Sequence, residues 1–392
     1  MALLIFCGQM NKKIIDRNIG NLLIPPLSLF RRKSHPPSNI HKILIIRMFG
    51  VGDAVLVSSI ISKLKSDNDI QVSVLATGET KGIFQLSEAD KIFSFNISNP
   101  NCFLKVMEDL RKERFDAIID TEQFANLSSL VQFILKSSYG MGFDQPTRRK
   151  MYDKTIQFNP NIHTLHAFQH LFSELGFHIK LNHLLPLKVS SQDRKLVSSY
   201  LLKLPKKKLL IGIHPGTGDT AIQRRWMPER FAKVADHLIS NYNANLVLTG
   251  TNAERQLLEH IAKSMKHKPI ILTTFTLPQF VALTEKFDLF ISNDTGPMHI
   301  SAAMGTPTLG LFGPNTPARW APLNKNSHFI YRKLPCSPCI QSHLGIVPNK
   351  CPLYPSAKCM EEISVDEVKK QAGKMLKDTA KTKPARFKKQ NI

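Results

Sequence analysis

Short runs of almost continuous apolar residues recur along this chain and alternate with segments that have the periodicity of a helix. Two of these runs, residues 42–47 and Leu209–His214, open in the same way, because each is followed by a glycine-containing turn and then a helical pattern. Continuous apolar strands are typical of parallel sheets that carry helices on both faces. The alternation therefore predicts βαβ units, and the repeated opening predicts an α/β chain of two Rossmann-like domains that face each other across a cleft.

The same pattern sets the predicted domain boundaries. The first Rossmann-like domain is predicted at residues 42–203 and the second at 204–373, after the basic linker Leu204-Pro-Lys-Lys-Lys. Residues 1–41 are an N-terminal extension, and residues 374–392 are a basic tail. The other predicted strands are 72–76, 91–95, 117–120 and 138–143 in the first domain, and 244–249, 270–273, 289–292 and 307–312 in the second.

Length and composition agree with a globular protein of this organisation. The 392 residues fit two domains of roughly 150–200 residues each. A hydrophobic share of 42% and a charged share of 21% exclude a mainly disordered or fibrous chain. No stretch approaches the roughly 20 apolar residues of a spanning helix, and the N-terminus lacks the basic region and cleavage site of a signal peptide. We therefore expect a cytoplasmic protein.

The net charge of +23 favours an anionic partner, which could be nucleic acid, acidic lipid or a phosphorylated substrate. The chain has no recognisable nucleic-acid module and no basic residues interleaved with stacking aromatics, so no nucleic-acid partner is expected. Residues 19–33 couple an apolar run to a basic cluster and are broken by Pro25 and Pro26. Two interpretations of this segment stay open: an interfacial anchor on an anionic membrane, or a poorly ordered extension.

The strongest candidate site is residues 292–307, which leave a buried strand, turn through Gly296 and enter a helix of small residues. Backbone N–H groups at such a helix start, together with the helix dipole, can bind an anion at the carboxyl edge of the sheet. Thr295 can donate its hydroxyl to a phosphate, and His299 can donate a hydrogen bond or hold charge. In the simpler interpretation, Asp294 caps the helix and His299 packs against the sheet.

Two other turns carry candidate chemistry. After the strand that ends at His214, Thr217 and Arg224 could clamp an oxyanion, whereas in the simpler interpretation Arg224 and Arg225 are a solvated pair. Asp53 stands on the first glycine turn, where a carboxylate could act as a general base, although Asp is also a common helix cap.

Taken together, these motifs resemble the ADP-heptose:lipopolysaccharide heptosyltransferase family (glycosyltransferase family 9) over about residues 42–368. The opening Ile-Arg-Met-Phe-Gly-Val-Gly-Asp-Ala, the segment Arg225-Trp-Met-Pro-Glu-Arg-Phe, and Asn293-Asp-Thr-Gly-Pro-Met-His through Leu311-Phe-Gly-Pro match its pattern in order. The resemblance implies a GT-B fold and an inverting transfer of heptose from ADP-heptose to the inner core of lipopolysaccharide. It also implies no metal and no other cofactor, because cationic side chains and a helix start stabilise the leaving diphosphate.

The resemblance also implies roles for individual residues. Asp53 resembles the base that deprotonates the acceptor hydroxyl, and Asp120 and Glu122 are the next acids to consider. Arg224 stands where family members often have Lys, which keeps the charge but changes its reach. Glu254 resembles the family's ribose-binding carboxylate. The residues that resemble donor and phosphate contacts are Thr217, Arg224, Glu254, Asp294, Thr295, Gly296 and His299.

Two groups of potential metal ligands remain outside these motifs. His163, His166 and His170 fall on one helix face, but without nearby carboxylates or cysteines a packed or solvated helix is expected. A second group contains a CxxC pair and two later cysteines at a spacing that is irregular for a zinc ribbon, so structural zinc and reduced, packed thiols both stay open. The four cysteines are Cys336, Cys339, Cys351 and Cys359.

The sequence thus predicts a heptosyltransferase with a nucleotide-sugar donor and a lipid A–core acceptor, located peripherally at the inner face of the cytoplasmic membrane. The positive charge would then attract lipid A phosphates, acidic core sugars and anionic lipids. The alternative is a family relative that uses another nucleotide sugar or a later core acceptor. A non-catalytic binder is disfavoured by the retained Asp53, and only the charge suggests a nucleic-acid-binding protein.

Overall fold

The computed structural model describes residues 12–31, 33–135, 139–348 and 350–382. These residues divide into two compact units. The first unit extends to Leu181 and includes Gln341–Ile346, and the second comprises Asn182–Ile340 and the described residues from Val347 onward. Each unit contains one sheet of six strands, and every strand pair within it is parallel.

The first unit is built on strands whose side chains are buried on both faces. Its strands are β1 (Lys42–Ile46), β2 (Gln71–Thr77), β3 (Lys91–Phe95), β4 (Ala117–Asp120), β5 (Tyr139–Phe143) and β6 (Lys154–Ile156). They follow the order β3-β2-β1-β4-β5-β6 across the sheet. Ile43 and Ile45 point to one face of β1, Leu44 and Ile46 point to the other, and all four are buried. The continuous apolar run of β1 is therefore explained by cover on both faces.

Helices of the first unit connect these strands. They are α1 (Lys12–Ser28), α2 (Val51–Asp67), α3 (Lys81–Phe84), α4 (Pro100–Glu113), α5 (Asn126–Leu135) and α6 (Thr164–Ser173). Met107 and Leu110 of α4 pack with Leu44 and Ile46 in one apolar cluster.

The second unit repeats this architecture. Its strands are β7 (Leu209–His214), β8 (Ala244–Thr249), β9 (Ile270–Leu272), β10 (Leu289–Asn293), β11 (Thr308–Phe312) and β12 (His328–Tyr331), in the order β12-β11-β10-β7-β8-β9. Its helices are α7 (Ser191–Leu202), α8 (Pro228–Tyr242), α9 (Arg255–Lys263), α10 (Leu277–Thr284), α11 (Gly296–Ala303), α12 (Pro317–Trp320), α13 (Lys358–Glu361) and α14 (Val365–Thr382). Counted from the first strand of each unit, the two orders are the same, 3-2-1-4-5-6.

The predicted α/β class and the ten predicted strands are confirmed, and two further strands are found. Residue 138, which the prediction included in β5, lies outside the described residues. The strands that the sequence did not predict, β6 and β12, are the outermost strands on the corresponding edges of the two sheets. Edge strands are short and partly exposed, as Phe329 of β12 shows, so they lack the continuous apolar run on which the prediction depends.

The N-terminal extension contributes a helix to the first unit from Lys12 onward. The Asp16 carboxylate accepts hydrogen bonds from the backbone N–H groups of Asn126 and Leu127, both at 2.9 Å, and so caps α5. Ile24 packs against Leu130 and Met151. Within the described part of the extension, residues 12–31 and 33–41, helix α1 therefore packs against the sheet domain, and residues 1–11 lie outside the described residues. None of the described helices is both long enough and apolar enough to cross a membrane.

Two boundaries differ from the predicted ones because helices pack across them. Helix α7 belongs to the second unit, since Arg194 donates to both carboxylate oxygens of Glu285 at 3.0 and 2.6 Å and ties α7 to the end of α10. The division consequently falls after Leu181 and not after residue 203. The predicted basic tail begins inside α14, which packs on α8 and ends at Thr382, and residues 383–392 lie outside the described residues.

Replacing Ile24 by alanine tests whether α1 is part of the first unit. Ile24 is 1% exposed, so Ile24→Ala should lower the free energy of unfolding by about 2–4 kcal/mol and speed hydrogen exchange in α5. Leu22→Ala is the matched control, because Leu22 is 56% exposed on the same helix and its loss should change stability by less than about 0.5 kcal/mol. Equal effects of the two substitutions in guanidinium unfolding would show that α1 does not contribute packing.

Candidate functional site

Every sequence-predicted site residue follows the carboxyl end of a strand or begins the helix after it. The strand order reverses between β1 and β4 in the first unit and between β7 and β10 in the second. Ligands of open α/β sheets bind beyond the carboxyl ends of the strands at this point of reversal. The loops and first helical turns there contain Asp53 in the first unit, and Thr217, Asp294 and Gly296 in the second. The fold therefore provides one candidate site in each unit.

Asp53 is positioned by a glycine turn between β1 and α2. Gly50 forms the N-cap of α2. Its φ of +82° is a backbone conformation that glycine adopts without strain. A side chain at Gly50 would also approach Asp53 Oδ2. Because Gly50 is the cap, Asp53 lies within the first helical turn, and its Oδ2 is 2.9 Å from Nη2 of Arg47. The interpretation of Asp53 as the helix cap is therefore wrong.

Arg47 joins Asp53 to a second carboxylate, that of Glu122. The Arg47 guanidinium donates to the carbonyl oxygens of Thr121 at 2.7 Å and Phe49 at 2.8 Å, and its Nη1 is 3.6 Å from Glu122 Oε2. Glu122 is completely buried, and this burial raises the pKa of its carboxyl to about 7, against the opposing effect of Arg47. Arg47 was not singled out in the sequence, although it is the basic residue that directly follows β1.

A further buried pair lies beside Glu122. Arg148 Nη1 is 3.4 Å from Asp120 Oδ2, both side chains are fully buried, and Arg148 also donates to the backbone carbonyl of Glu122. Tyr152 donates its hydroxyl to Asp120. Asp120 is thus occupied by structural partners, whereas Asp53 is held by the cation that it shares with Glu122.

In the second unit, the neighbouring residues Arg224 and Arg225 direct their side chains to two different loops. Arg225 Nε donates to Thr217 Oγ1 at 3.2 Å and Arg225 Nη2 donates to the carbonyl of Gly218 at 3.2 Å. Arg224 turns toward the loop after β10, where its Nη1 is 3.3 Å from Asp294 Oδ2. The two arginines are therefore not a solvated pair. Thr217 is hydrogen-bonded to Arg225, whereas Arg224 pairs with Asp294.

Asn293 and Asn315 hold the two loops of this unit together. The Asn293 side chain donates to the carbonyl of Pro215 at 2.8 Å and accepts from the Trp226 N–H at 3.0 Å. Asn315 Nδ2 donates to Asp294 Oδ2 at 2.8 Å. The N-cap of α11 is Thr295, whose side chain makes no capping bond, so the interpretation of Asp294 as the cap is wrong.

His299 lies one turn into α11 and is buried beside Asp294 and Arg224. Burial lowers the pKa of His299 to about 4, with Asp294 acting in the opposite direction and Arg224 in the same direction. The imidazole is therefore neutral at pH 7 and fits the predicted role as a hydrogen-bonding group, not the predicted role as a charge. Its Nδ1 and the Nε of Arg224 are buried without a hydrogen-bond partner in the described part of the chain. Buried polar atoms without a partner mark a place that a polar ligand can satisfy.

Glu254 follows β8 and reaches back toward the loop after β7. Its Oε2 accepts from the backbone N–H of Thr251 at 2.9 Å and from the Thr251 hydroxyl at 3.0 Å, and its Oε1 lies 3.4 Å from the N–H of Gly218. Burial raises the pKa of Glu254, but His214 and these donors outweigh it, so the pKa lies below its usual value. A carboxylate after the second strand is where Rossmann folds bind ribose hydroxyls. A side chain at Gly216 would overlap Glu254 Oε1.

The four C-terminal cysteines line one pocket in the second unit. Burial and the neighbouring Cys339 raise the pKa of the Cys359 thiol to about 11, so this thiol is protonated at pH 7. No group of three or more His, Cys, Asp or Glu residues in the described ranges is arranged to hold a metal ion. The predicted histidine face is not arranged to hold a metal ion within these ranges either. His163 caps α6 by accepting a hydrogen bond from the Leu165 N–H, and His166 is hydrogen-bonded to Gln169.

Comparison with solved structures identifies the fold. A glycosyltransferase family 9 structure from Veillonella parvula matches 86% of this chain and 97% of its own chain with a TM-score of 0.71, at 18% identity. The ADP-heptose lipopolysaccharide heptosyltransferase II of E. coli matches 86% of this chain and 99% of its own with a TM-score of 0.68, at 19% identity. The fold is therefore GT-B, as predicted, which is a glycosyltransferase architecture of two Rossmann-like domains.

Comparison of the sequence with family models identifies the family. The family model of glycosyltransferase family 9 (heptosyltransferase) matches residues 103–345, and the chain belongs to this family. The matched residues include every donor-side candidate but begin after Asp53. Among curated proteins, lipooligosaccharide heptosyltransferase 2 of Campylobacter jejuni is 28% identical over 86% of this chain and 99% of its own length. The predicted family and the predicted enzyme class, a glycosyltransferase, are confirmed.

Replacing Gly216 by alanine tests whether Glu254 contacts a nucleotide. The added methyl group displaces the Glu254 carboxylate, so Gly216→Ala should weaken ADP binding by about 10- to 100-fold, the equivalent of one charged hydrogen bond. Isothermal titration calorimetry measures this difference. Gly78→Ala is the control, because a methyl group there meets nothing within 4 Å. Unchanged ADP affinity in the Gly216 variant would limit Glu254 to its capping bond with Thr251.

Proposed function

We propose that this glycosyltransferase transfers heptose from ADP-heptose to the inner core of lipopolysaccharide, with inversion and without a metal ion. The donor half of the proposal is carried by two buried nitrogens beside the start of α11, Arg224 Nε and His299 Nδ1, which have no hydrogen-bond partner within the described ranges. Relatives named as lipooligosaccharide or lipopolysaccharide heptosyltransferases support the choice of sugar and acceptor. We further propose that the enzyme works at the inner face of the cytoplasmic membrane.

The diphosphate of the donor would lie at the amino end of α11. Backbone N–H groups and the positive end of the helix dipole favour an anion at Thr295 and Gly296. Arg224 adds a cation whose charge is only partly used by Asp294, because their shortest separation is 3.3 Å. The neutral His299 adds a hydrogen bond. These groups would stabilise the negative charge that develops on the leaving ADP, which is the task that a metal ion performs in other transferases.

Asp53 would accept the proton of the attacking acceptor hydroxyl. In an inverting displacement, the acceptor oxygen bonds to the anomeric carbon while the bond from that carbon to the diphosphate oxygen breaks. The proton moves from the acceptor hydroxyl to an Asp53 oxygen, and ADP leaves with the electron pair. The proposed donor contacts all belong to the second unit, so the base is expected from the first. Asp53 is the acid that the glycine turn presents there, whereas Asp120 is occupied by Arg148 and Tyr152.

Asp53→Asn tests the chemistry. The amide keeps the shape but is not a base, so single-turnover heptose transfer in chelating buffer should fall by roughly 10²–10⁴, while ADP affinity stays within a few-fold. The assay uses ADP-heptose with a panel of truncated core acceptors, read by mass spectrometry. Asp67→Asn is the control, because Asp67 is an exposed aspartate of the same helix that pairs with Lys63. Near-normal transfer by the Asp53 variant would exclude Asp53 as the base.

Two further outcomes bear on the rest of the proposal. Activity that appears only with added magnesium or manganese would contradict the metal-free mechanism. Transfer from another nucleotide sugar, with none from ADP-heptose, would assign the chain to the alternative, a family relative with a different donor.

We also propose that the end of α1 and the turn after it bind an anionic membrane surface. The inner side of the helix packs through Ile24, while Leu29 and Phe30 are 79% and 75% exposed, next to the exposed Lys33. Apolar side chains next to cations are the combination that binds the boundary between headgroups and acyl chains. This placement would bring the enzyme to a lipid-linked acceptor.

Leu29→Ser combined with Phe30→Ser tests this attachment. Burying one large apolar side chain stabilises binding by about 1.5–3 kcal/mol, so losing two should weaken binding to phosphatidylglycerol vesicles at least about 10-fold in a sedimentation assay. Leu196→Ser combined with Leu202→Ser is the control, because these two leucines are exposed on α7 of the second unit. Equal vesicle binding by both double variants would remove α1 and its turn from the membrane contact.

A further inference from the structure

Glu122 is a buried acid that the proposed reaction does not use. Its Oε1 accepts hydrogen bonds from the backbone N–H groups of Met48 at 2.7 Å and Phe49 at 3.0 Å, in the turn that leads to Asp53. Its Oε2 has no hydrogen-bond partner among the described residues. One carboxylate oxygen therefore fixes the turn, and the other lies 3.6 Å from the guanidinium of Arg47.

Arg47 gives Glu122 an electrostatic connection to Asp53. The guanidinium is almost completely buried, with Nη2 2.9 Å from Asp53 and Nη1 toward Glu122. Two carboxylates thus share one cation in a poorly solvated place, where charges interact more strongly than in water. A change of charge on either carboxylate must alter how strongly Arg47 holds the other.

We propose that Glu122 is a positioning residue that sets the basicity of Asp53 through Arg47. The inference rests on the proposed role of Asp53 as the base. When Glu122 is ionised, it takes up part of the attraction of Arg47, and Asp53 is the stronger base. When Glu122 is protonated, Arg47 pairs with Asp53 alone, and the aspartate is held as a weaker base. Heptose transfer then increases as Glu122 loses its proton.

Two other charged groups, Asp120 and Arg148, act on Glu122 in opposite directions. Asp120 on β4 opposes its ionisation, while Arg148 favours it. These two are paired with each other, and Tyr152 donates to Asp120, so their charges are already compensated. Helix α6 contributes the Phe168 ring, 5.7 Å from the Arg47 guanidinium, and no charge there. Arg47 is therefore the cation through which the charge of Glu122 reaches Asp53.

The direction of the pH dependence follows from the burial of Glu122. Because burial raises the pKa of Glu122 to about 7, the carboxyl is mostly protonated at pH 6 and mostly ionised at pH 8. Single-turnover transfer by the wild-type protein should rise across this interval. Glu122→Gln, which keeps the shape of the protonated acid, should transfer heptose about 3- to 10-fold more slowly at pH 8 and should lose the step near pH 7.

The experiment measures single-turnover rates from pH 5.5 to 9 for Glu122→Gln and for Glu122→Asp, which keeps an ionisable group and should retain a pH step. Glu174→Gln is the control, because this glutamate of the first unit pairs with Lys154 at the surface and its loss should leave the profile unchanged. ADP affinity, which belongs to the second unit, should not change in any of these variants. Guanidinium unfolding verifies that the first unit of each variant is folded.

A double substitution distinguishes this inference from the proposed function. If Glu122 acts through Asp53, then adding Glu122→Gln to Asp53→Asn should lower transfer no further, whereas two independent effects would multiply. A Glu122→Gln profile that matches the wild type, with Asp53→Asn inactive, would overturn the inference and leave the base assignment intact. An active Asp53→Asn variant would overturn both.

Discussion

The reversal of strand order at the centre of each sheet is the constraint on which both candidate sites depend. The loops that follow β1 and β4, and those that follow β7 and β10, leave the sheet at the same edge and in opposite directions. Parallel pairing aligns Ile46 with Asp120 in the first unit and Ser292 with His214 in the second. Residues seventy or more positions apart, such as Arg47 and Glu122 or Arg224 and Asp294, consequently come into contact.

The two candidate sites differ in the charges that they bury. In the first unit, Arg47 and Arg148 lie among the carboxylates of Asp53, Asp120 and Glu122, so opposite charges compensate one another inside the protein. Such a cluster is costly to bury and loses stability when one partner is removed, which favours a fixed geometry. In the second unit, Arg224 Nε and His299 Nδ1 are buried with no hydrogen-bond partner among the residues that the structure describes. That arrangement is stabilised when a polar ligand arrives.

Most of the fold, and part of the site, could be predicted from the sequence because both have local signals. The central strands are continuous apolar runs, and Asp294, Thr295 and Gly296 form a compact motif. The edge strands β6 and β12 were missed since they are short and, in β12, exposed. The links from Arg47 to Glu122 and from Asn315 to Asp294 depend on strand pairing and loop packing, which no local pattern records. The packing of α1 (residues 12–28) on the first unit depends on Asp16, which caps a helix that begins 110 positions later, so no local pattern predicts it.

The difference between the two clusters gives a physical reason for a division of labour in glycosyl transfer. The proposed base, Asp53, is a carboxylate whose position is fixed by a buried cation, Arg47. In a diphosphate site, the side chains must instead bind one another weakly and bind the ligand strongly. Arg224 meets this condition, because its 3.3 Å separation from Asp294 is long for a charge-assisted hydrogen bond. The chain's net charge of +23 does not produce either property, since both arise from a few buried groups.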